Sequence, residues 1–270
     1  MSQPPRVIVE VDGDSIATVS LNRADKHNAL DLAMIEALVD AAATLRKRRD
    51  LRVVIVRGLG PSFCSGLDVG AVLKQPLKMV RSFATYGVRQ QNLFQRVGLC
   101  WRDLPVPVIA AIHGNCFGGG LQIVLGADFR IATPDARLSV MEIKWGLVPD
   151  MSGTVTLRDL LPLDVAKKLA MTGQIVSGEQ AAALNLVTDV ADDPYAEAVG
   201  LARTLVAQSP DALAGIKQLF DRNWMSSQRQ ALTLERKVQL RMLASANHRE
   251  TIKAHGEKRP PRFKPRRFGG

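Results

Sequence analysis

The chain has 270 residues, 46% of them apolar and 23% charged, enough for one substantial core with an appended element and too ordered in pattern for a disordered chain. No run approaches eighteen uninterrupted apolar residues, and MSQPPRVIVEVDGDS at the start carries neither a basic nor an apolar targeting segment, so a cytoplasmic protein without a membrane span is expected. The net charge of +10 is uneven, with seven basic residues against one acid, Glu257, from Lys253 onward.

In chain order, Val7–Glu10 and Ile16–Leu21 flank Asp12-Gly13-Asp14 and predict a β-hairpin. A helix follows, capped by Asn28 or the residues just before it and running to about Arg48, with Leu30, Met34, Leu38, Ala41 and Leu45 on one face. RKRR at 46–49 then ends that helix, where cations favour its dipole. Arg52–Val56 is a buried strand leading into GLGPSFCSGLD; Gly58-x-Gly60 is followed there by Pro61, which excludes a dinucleotide loop. Lys74–Gly98 reads as helical, broken at Pro76, with Met79, Phe83, Tyr86 and Leu93 as either pocket wall or core. Val106–Ile112 is a continuous apolar run that fits a strand buried on both faces. Gly118, Gly119 and Gly120 come next, and Leu121–Leu125 continues as a short buried helix.

Phe129–Ala132 and Arg137–Val140 are extended, and helices are expected at Gly153–Leu161, Leu163–Thr172 and Ser177–Ala183, the last opened by a Ser177/Gln180 capping box. Asn185 suits a left-handed helix end, and Val187–Val190 is the last strand. Helices at Pro194–Gln208, Pro210–Trp224, Gln228–Ser245 and near His248 complete the chain. Strands alternating with helices over the first 190 residues predict an α/β core.

Three consecutive glycines each cost about 1 kcal/mol relative to Ala in a helix interior. They serve either a sharp bend that bares backbone N–H groups or a helix packed tightly on a strand. A second glycine turn, at Ser65-Gly66, leaves the Leu67 amide free. Two such turns, each after a buried strand, offer two donors to one oxygen, the pattern of an oxyanion hole. LNRADKHNAL (21–30), SFCSGLD (62–68), HGNCFGGGLQI (113–123) and MEIKWGLVPDMSGT (141–154), in this order, resemble the enoyl-CoA hydratase/isomerase (crotonase) superfamily. The resemblance extends from about Val7 to the ANHRETIKAHGEKRPPRF segment near the C-terminus.

That resemblance implies an α/β fold, a crotonase-like spiral of ββα units, with an acyl-CoA-binding core over residues 1–195. It also implies a C-terminal helical region, 196–270, that covers the active site and builds a homo-trimer or a pair of trimers. It places the oxyanion donors on Leu67 and Gly119. Arg23, Ala24, Lys26 and His27, with Ser65 and Asp68, form the rim beside coenzyme A, which enters as part of the thioester substrate with no other cofactor. Family hydratases use two glutamates, and here the first position is Gln122 and the second Glu142. A neutral amide orients water but does not take up a proton, so single-carboxylate double-bond isomerisation through Glu142 is favoured.

Asp150 falls where dienoyl-CoA isomerases of the family carry an additional acid; its other reading is an N-cap for a helix starting near Ser152. Two further functions stay open: hydration of a 2-enoyl-CoA with Gln122 placing the water, and a catalytically poor acyl-CoA-binding or assembly protein. Cys64, Cys100 and Cys116 show no CxxC spacing, and His27, His113, His248 and His255 show no ligand spacing, so neither a disulfide framework nor a metal is expected. KRPPRFKPRR at 258–267 lacks an RNA-binding signature with interleaved aromatics and reads as a solvated tail that could assist a phosphate-bearing ligand, not as a nucleic-acid arm.

Overall fold

The computed structural model describes residues 4–84 and 91–269. The expected hairpin is present as β1 (Val7–Val11) against β2 (Ile16–Leu21), turned where Asp12 Oδ1 accepts the amides of Asp14 and Ile16, each at 2.9 Å. Helix α1 spans Leu32–Lys47, and its cap is Asp31, whose Oδ1 accepts the Met34 amide at 2.8 Å, in place of the expected Asn28. Asn28 is instead fully buried in left-handed backbone. Its Oδ1 takes the Arg23 amide and its Nδ2 donates to the carbonyls of Leu59 and Ser62, which ties the loop before α1 to the first glycine turn.

β3 (Val53–Gly58) is followed by α2 (Val69–Leu73), α3 (Pro76–Ser82) and α4 (Leu93–Leu99). Tyr86 of the helical region expected over 74–98 lies outside the described residues. Then come β4 (Val108–Ile112), β5 (Asn115–Phe117), α5 (Gly119–Val124), β6 (Phe129–Ala132) and β7 (Arg137–Ser139). α6 (Gly153–Leu157), α7 (Leu163–Thr172), β8 (Val176–Ser177), α8 (Gly178–Ala183) and β9 (Asp189–Val190) follow, with the Ser177/Gln180 capping box and left-handed Asn185 as expected. The helices α9 (Pro194–Val206), α10 (Pro210–Asn223), α11 (Gln228–Leu243) and α12 (Ala246–Gly256) complete the order.

The larger sheet runs β1-β2-β3-β4-β6-β9, antiparallel at β1–β2 and parallel elsewhere; a smaller one runs β5-β7-β8. Alternation along β3 shows why both faces are apolar: Val54 and Val56 join the cluster with α1, α4 and α5, while Val53 and Ile55 meet α9. Ala198 and Ala202 let α9 lie close on that second face. Two polar side chains of β2 on it are satisfied, Thr18 against the Tyr195 hydroxyl and Ser20 by Arg57, whose guanidinium sits 4.1 Å over the Tyr195 ring. α9 thus spans the 195/196 position and packs with the core sheet, and α10–α12 follow it in the chain.

The C-terminal segment is docked, which corrects the expectation of a solvated tail. Asp211, at the start of α10 and 2% exposed, is a buried carboxylate that needs donors. The tail supplies them through the amides of Arg267 (2.7 Å) and Phe268 (2.9 Å), alongside Asn247 Nδ2 (2.8 Å). Arg266 is equally buried, its guanidinium donating to the carbonyls of Phe268 and Gly269 and its amide to Arg49 at the end of α1. Burial, with the nearby charge of Arg49, draws the Arg266 pKa down to about 10. Arg259 is held by Glu250 and Glu257. No helix among the described residues is long and apolar enough to cross a membrane.

Candidate active site

The two glycine turns meet because β3 and β4 are parallel neighbours, so the chain leaves both at the same edge of the sheet. Beyond the strands the two segments stay hydrogen-bonded: Phe63 N to His113 O (2.8 Å), Cys64 N to Asn115 O (2.9 Å) and Phe117 N to Cys64 O (3.0 Å). Gly120 fits there only because it lacks a side chain, since a Cβ would stand 2.6 Å from Cys64 Cβ. On the other side Leu30 N donates to Gly66 O and Asp68 N to Leu30 O, which brackets Leu67. The Leu67 and Gly119 amides make no hydrogen bond to protein among the described residues, and both residues line one cavity of about 200 Å3. Clefts of about 290 and 490 Å3 along the C-terminal helices contain none of these residues.

The register of β5 on β7 brings the carboxylate in. Phe117 stands opposite Ser139, Gly118 N donates to Ser139 O at 2.9 Å, and Glu142 opens the 3-10 turn Glu142–Trp145 shortly after. Gly118 has φ 48° and ψ −118°, and a Cβ on it would lie 3.3 Å from Glu142 Oε1, so a side chain here meets both strain and the carboxylate.

Gln122, fully buried on α5, is locked at both ends of its amide. Its Oε1 accepts the amides of Met151 and Gly153, each at 2.9 Å, and its Nε2 donates to Glu142 Oε1. The two backbone donors fix which end is oxygen, so the NH2 must face Glu142. With both lone pairs of Oε1 used, Gln122 can meet a water only as a donor, through the second N–H of Nε2. Glu142 Oε2 is buried with no protein partner among the described residues. Burial raises the Glu142 pKa, opposed by backbone amides and the Gln122 NH2, and the charge of Asp150 raises it further. Asp150 lines the same cavity from its exposed mouth, and its partial burial there raises its pKa. It does not cap α6, which starts after Ser152 in left-handed backbone, so the capping reading of Asp150 is corrected.

The cavity walls include Met79 and Phe83 as anticipated, whereas Leu93 packs against the core. Phe94, Phe117, Met141, Trp145 and Met151 join the lining and were not singled out as pocket wall in the sequence. Trp145 sits 66% exposed at the mouth. The C-terminal helices contribute no residue to this lining in the single chain.

The rim residues divide in two. Arg23 and Asp68 are committed to each other at 2.8 Å, and Asp68 also caps α2 through the Ala71 amide. That amide, with Arg23, holds its carboxyl below the usual range. Ala24–Lys26 is a 3-10 turn closed by left-handed His27, whose ring bonds Ser62 Oγ at 3.0 Å and whose carbonyl takes the Ser65 amide. Lys26 is exposed and has no acid within ion-pair distance among the described residues. No group of His, Cys, Asp and Glu among the described residues is arranged to hold a metal.

Comparison with known proteins agrees with this geometry. The family profile described as Enoyl-CoA hydratase/isomerase matches residues 12–266. Methylglutaconyl-CoA hydratase of Mus musculus, a mitochondrial protein, is 28% identical over 263 residues, covering 95% of this chain and 82% of its own. Enoyl-CoA hydratase EchA19 of Mycobacterium tuberculosis is 29% identical over 264 residues, covering 97% of both. The crystal structure of the Bacillus anthracis enoyl-CoA hydratase superposes with a TM-score of 0.87 at 27% identity, over 96% of this chain and 99% of that one. Sequence profile, relatives and backbone agree over almost the full length, and the chain belongs to the enoyl-CoA hydratase/isomerase (crotonase) family.

Proposed function

We propose that this chain moves a proton on an enoyl-CoA thioester, with double-bond isomerisation as its favoured reaction. The observation that carries the reading is Glu142, anchored on one oxygen by a locked amide and unpartnered on the other, beside two free backbone donors in one cavity. The thioester oxygen is received by the amides of Leu67 and Gly119. Glu142 Oε2 takes the proton from C2 of a 3-enoyl-CoA, the electron pair moves onto the thioester oxygen, and the two amides stabilise the resulting dienolate. As the enolate collapses, Glu142 returns the proton at C4 and the double bond settles between C2 and C3. One carboxylate serves both transfers, which suits a site whose second position holds an amide. Lys26 and His27 with the Ser65 turn form the entrance for the coenzyme A portion, held in place by the Arg23–Asp68 pair. The same reading takes the chain as a homo-trimer or pair of trimers, supported by exposed Ile216 and Phe220 on α10 and Trp224 just after it; a monomer in sedimentation equilibrium would refute that part.

A second reading, hydration of a 2-enoyl-CoA, is favoured by the names of the relatives; in this site Glu142 would handle the water while Gln122 positions it. NMR in deuterated water separates the two. Isomer interconversion with deuterium entering at C2 and C4, reduced about 10²- to 10⁴-fold by Glu142→Gln, is expected for the isomerase. Accumulation of 3-hydroxyacyl-CoA assigns the hydratase instead, and acyl-CoA binding without any exchange refutes proton transfer altogether.

A further inference from the structure

The part of the cavity that faces away from the coenzyme A rim has a chemistry of its own. Phe83 and Phe94 form a ring pair at 5.0 Å and 38°, and Phe117, Trp145 and Leu147 continue the apolar wall. Three methionines, Met79, Met141 and Met151, complete it with side chains that adapt to irregular shapes. Phe83, Trp145 and Leu147 expose apolar surface at the mouth, 45%, 66% and 52% respectively, which a bound apolar group would cover. Among the described lining residues there is no Lys, Arg or His; the ionisable groups are Glu142 and Asp150, both acids.

Resting on the acyl-CoA reading above, we propose that this pocket selects an uncharged acyl group with an apolar end of about the bulk of a phenyl ring, and that Asp150 excludes acyl groups ending in a carboxylate. The size follows from the volume: the whole cavity is about 200 Å3 and is shared with the thioester end, while a cavity of roughly 150 Å3 accepts benzene, so the apolar end has room for a single ring at most. The exclusion follows from charge. A terminal carboxylate would enter beside two acids, leaving water for an apolar wall that offers no compensating cation among the described residues. Aromatic walls add edge and face contacts that a ring exploits and a short chain does not.

Equilibrium binding of saturated thioesters tests this without requiring turnover. Phenylpropanoyl-CoA, butanoyl-CoA, glutaryl-CoA and free coenzyme A are titrated into the full-length protein, wild type and Asp150→Asn. The expected order is phenylpropanoyl-CoA tightest, with glutaryl-CoA weaker by at least roughly 100-fold and no tighter than free coenzyme A. Asp150→Asn should narrow the phenylpropanoyl-to-glutaryl ratio by about threefold to fivefold, mainly by improving glutaryl-CoA. Trp145→Ala provides the second readout, weakening phenylpropanoyl-CoA while leaving free coenzyme A unchanged. Glutaryl-CoA binding as tightly as phenylpropanoyl-CoA, or a ratio unmoved by Asp150→Asn, overturns the proposal while leaving the acyl-CoA reading intact. Butanoyl-CoA binding as tightly as phenylpropanoyl-CoA overturns the size assignment. Absence of binding by all four ligands overturns the acyl-CoA reading itself.

Discussion

Replacing Gln122 by Glu tests the central polar contact of the site. The new side chain keeps the anchor that the Met151 and Gly153 amides give to Gln122 Oε1, so its second oxygen takes the place of the NH2 that now donates to Glu142. A charge-assisted hydrogen bond worth about 1.5–3 kcal/mol is lost. Two carboxylates in contact would also repel by about 5 kcal/mol, taking roughly 3.5 Å and an effective dielectric of about 20. The pair escapes this by keeping one proton between its oxygens, as like charges at such distance cannot both ionise. Binding that proton in the folded state makes the contribution of the pair to stability full at low pH and lost as pH rises through the raised pKa. The melting temperature of Gln122→Glu should therefore match wild type near pH 5 and fall short by about 5–10 °C at pH 8, about 2–3 kcal/mol at roughly 2–4 °C per kcal/mol. Calorimetric melts across that range, with product analysis on a 2-enoyl-CoA, provide the assay, and 3-hydroxyacyl-CoA should appear in the variant. A melting deficit equal at pH 5 and pH 8 refutes the contact between residues 122 and 142.

The Glu142→Gln variant should gain stability as it loses activity. Because burial raises the Glu142 pKa, wild-type stability is present below the ordinary carboxylate range and diminishes as pH rises through the raised value. The variant escapes that loss and keeps its bond to Gln122, so it should melt up to about 3 °C higher at pH 8 and level with wild type at pH 4. A variant that melts lower at pH 8 would count against a strained carboxylate. Asp211→Ala leaves two buried tail amides and Asn247 without their acceptor, at about 3–5 kcal/mol in all. Brief trypsin treatment should then cut after Arg266 or Arg267 while wild type resists, and an uncut variant would show that the tail is held elsewhere.

Much of this architecture is legible in the sequence where local chemistry and long-range packing agree. The strand runs at 53–58 and 108–112, the glycine triplet and the Ser177/Gln180 box are each dictated by residues within one element. What the sequence conceals are partners chosen across the fold. Asn28 looks like a helix cap until the carbonyls of Leu59 and Ser62 claim its amide. The basic tail looks solvated until Asp211, some 56 residues earlier, is seen to need its backbone donors. Gln122 shows in sequence that a carboxylate is missing, but not that its amide is locked, since that depends on the backbone of Met151 and Gly153. Met151 lies within the 141–154 motif, but its place in the wall follows from the turn that delivers its amide to Gln122.

The hydrogen bonds that join the 63–64 segment to 115–117 have a consequence for how such a protein diversifies. Leu67 and Gly119 are bolted to one another through the backbone, and no side chain is needed to hold their spacing. Phe83 stands on one short segment at the mouth, and Trp145 with Leu147 on another. The oxyanion donors and the apolar mouth therefore reside in different parts of the chain, with Glu142 joined to the mouth through the turn it shares with Trp145. Substitutions at the mouth can explore new acyl groups generation after generation while the machinery that activates the thioester is inherited unchanged.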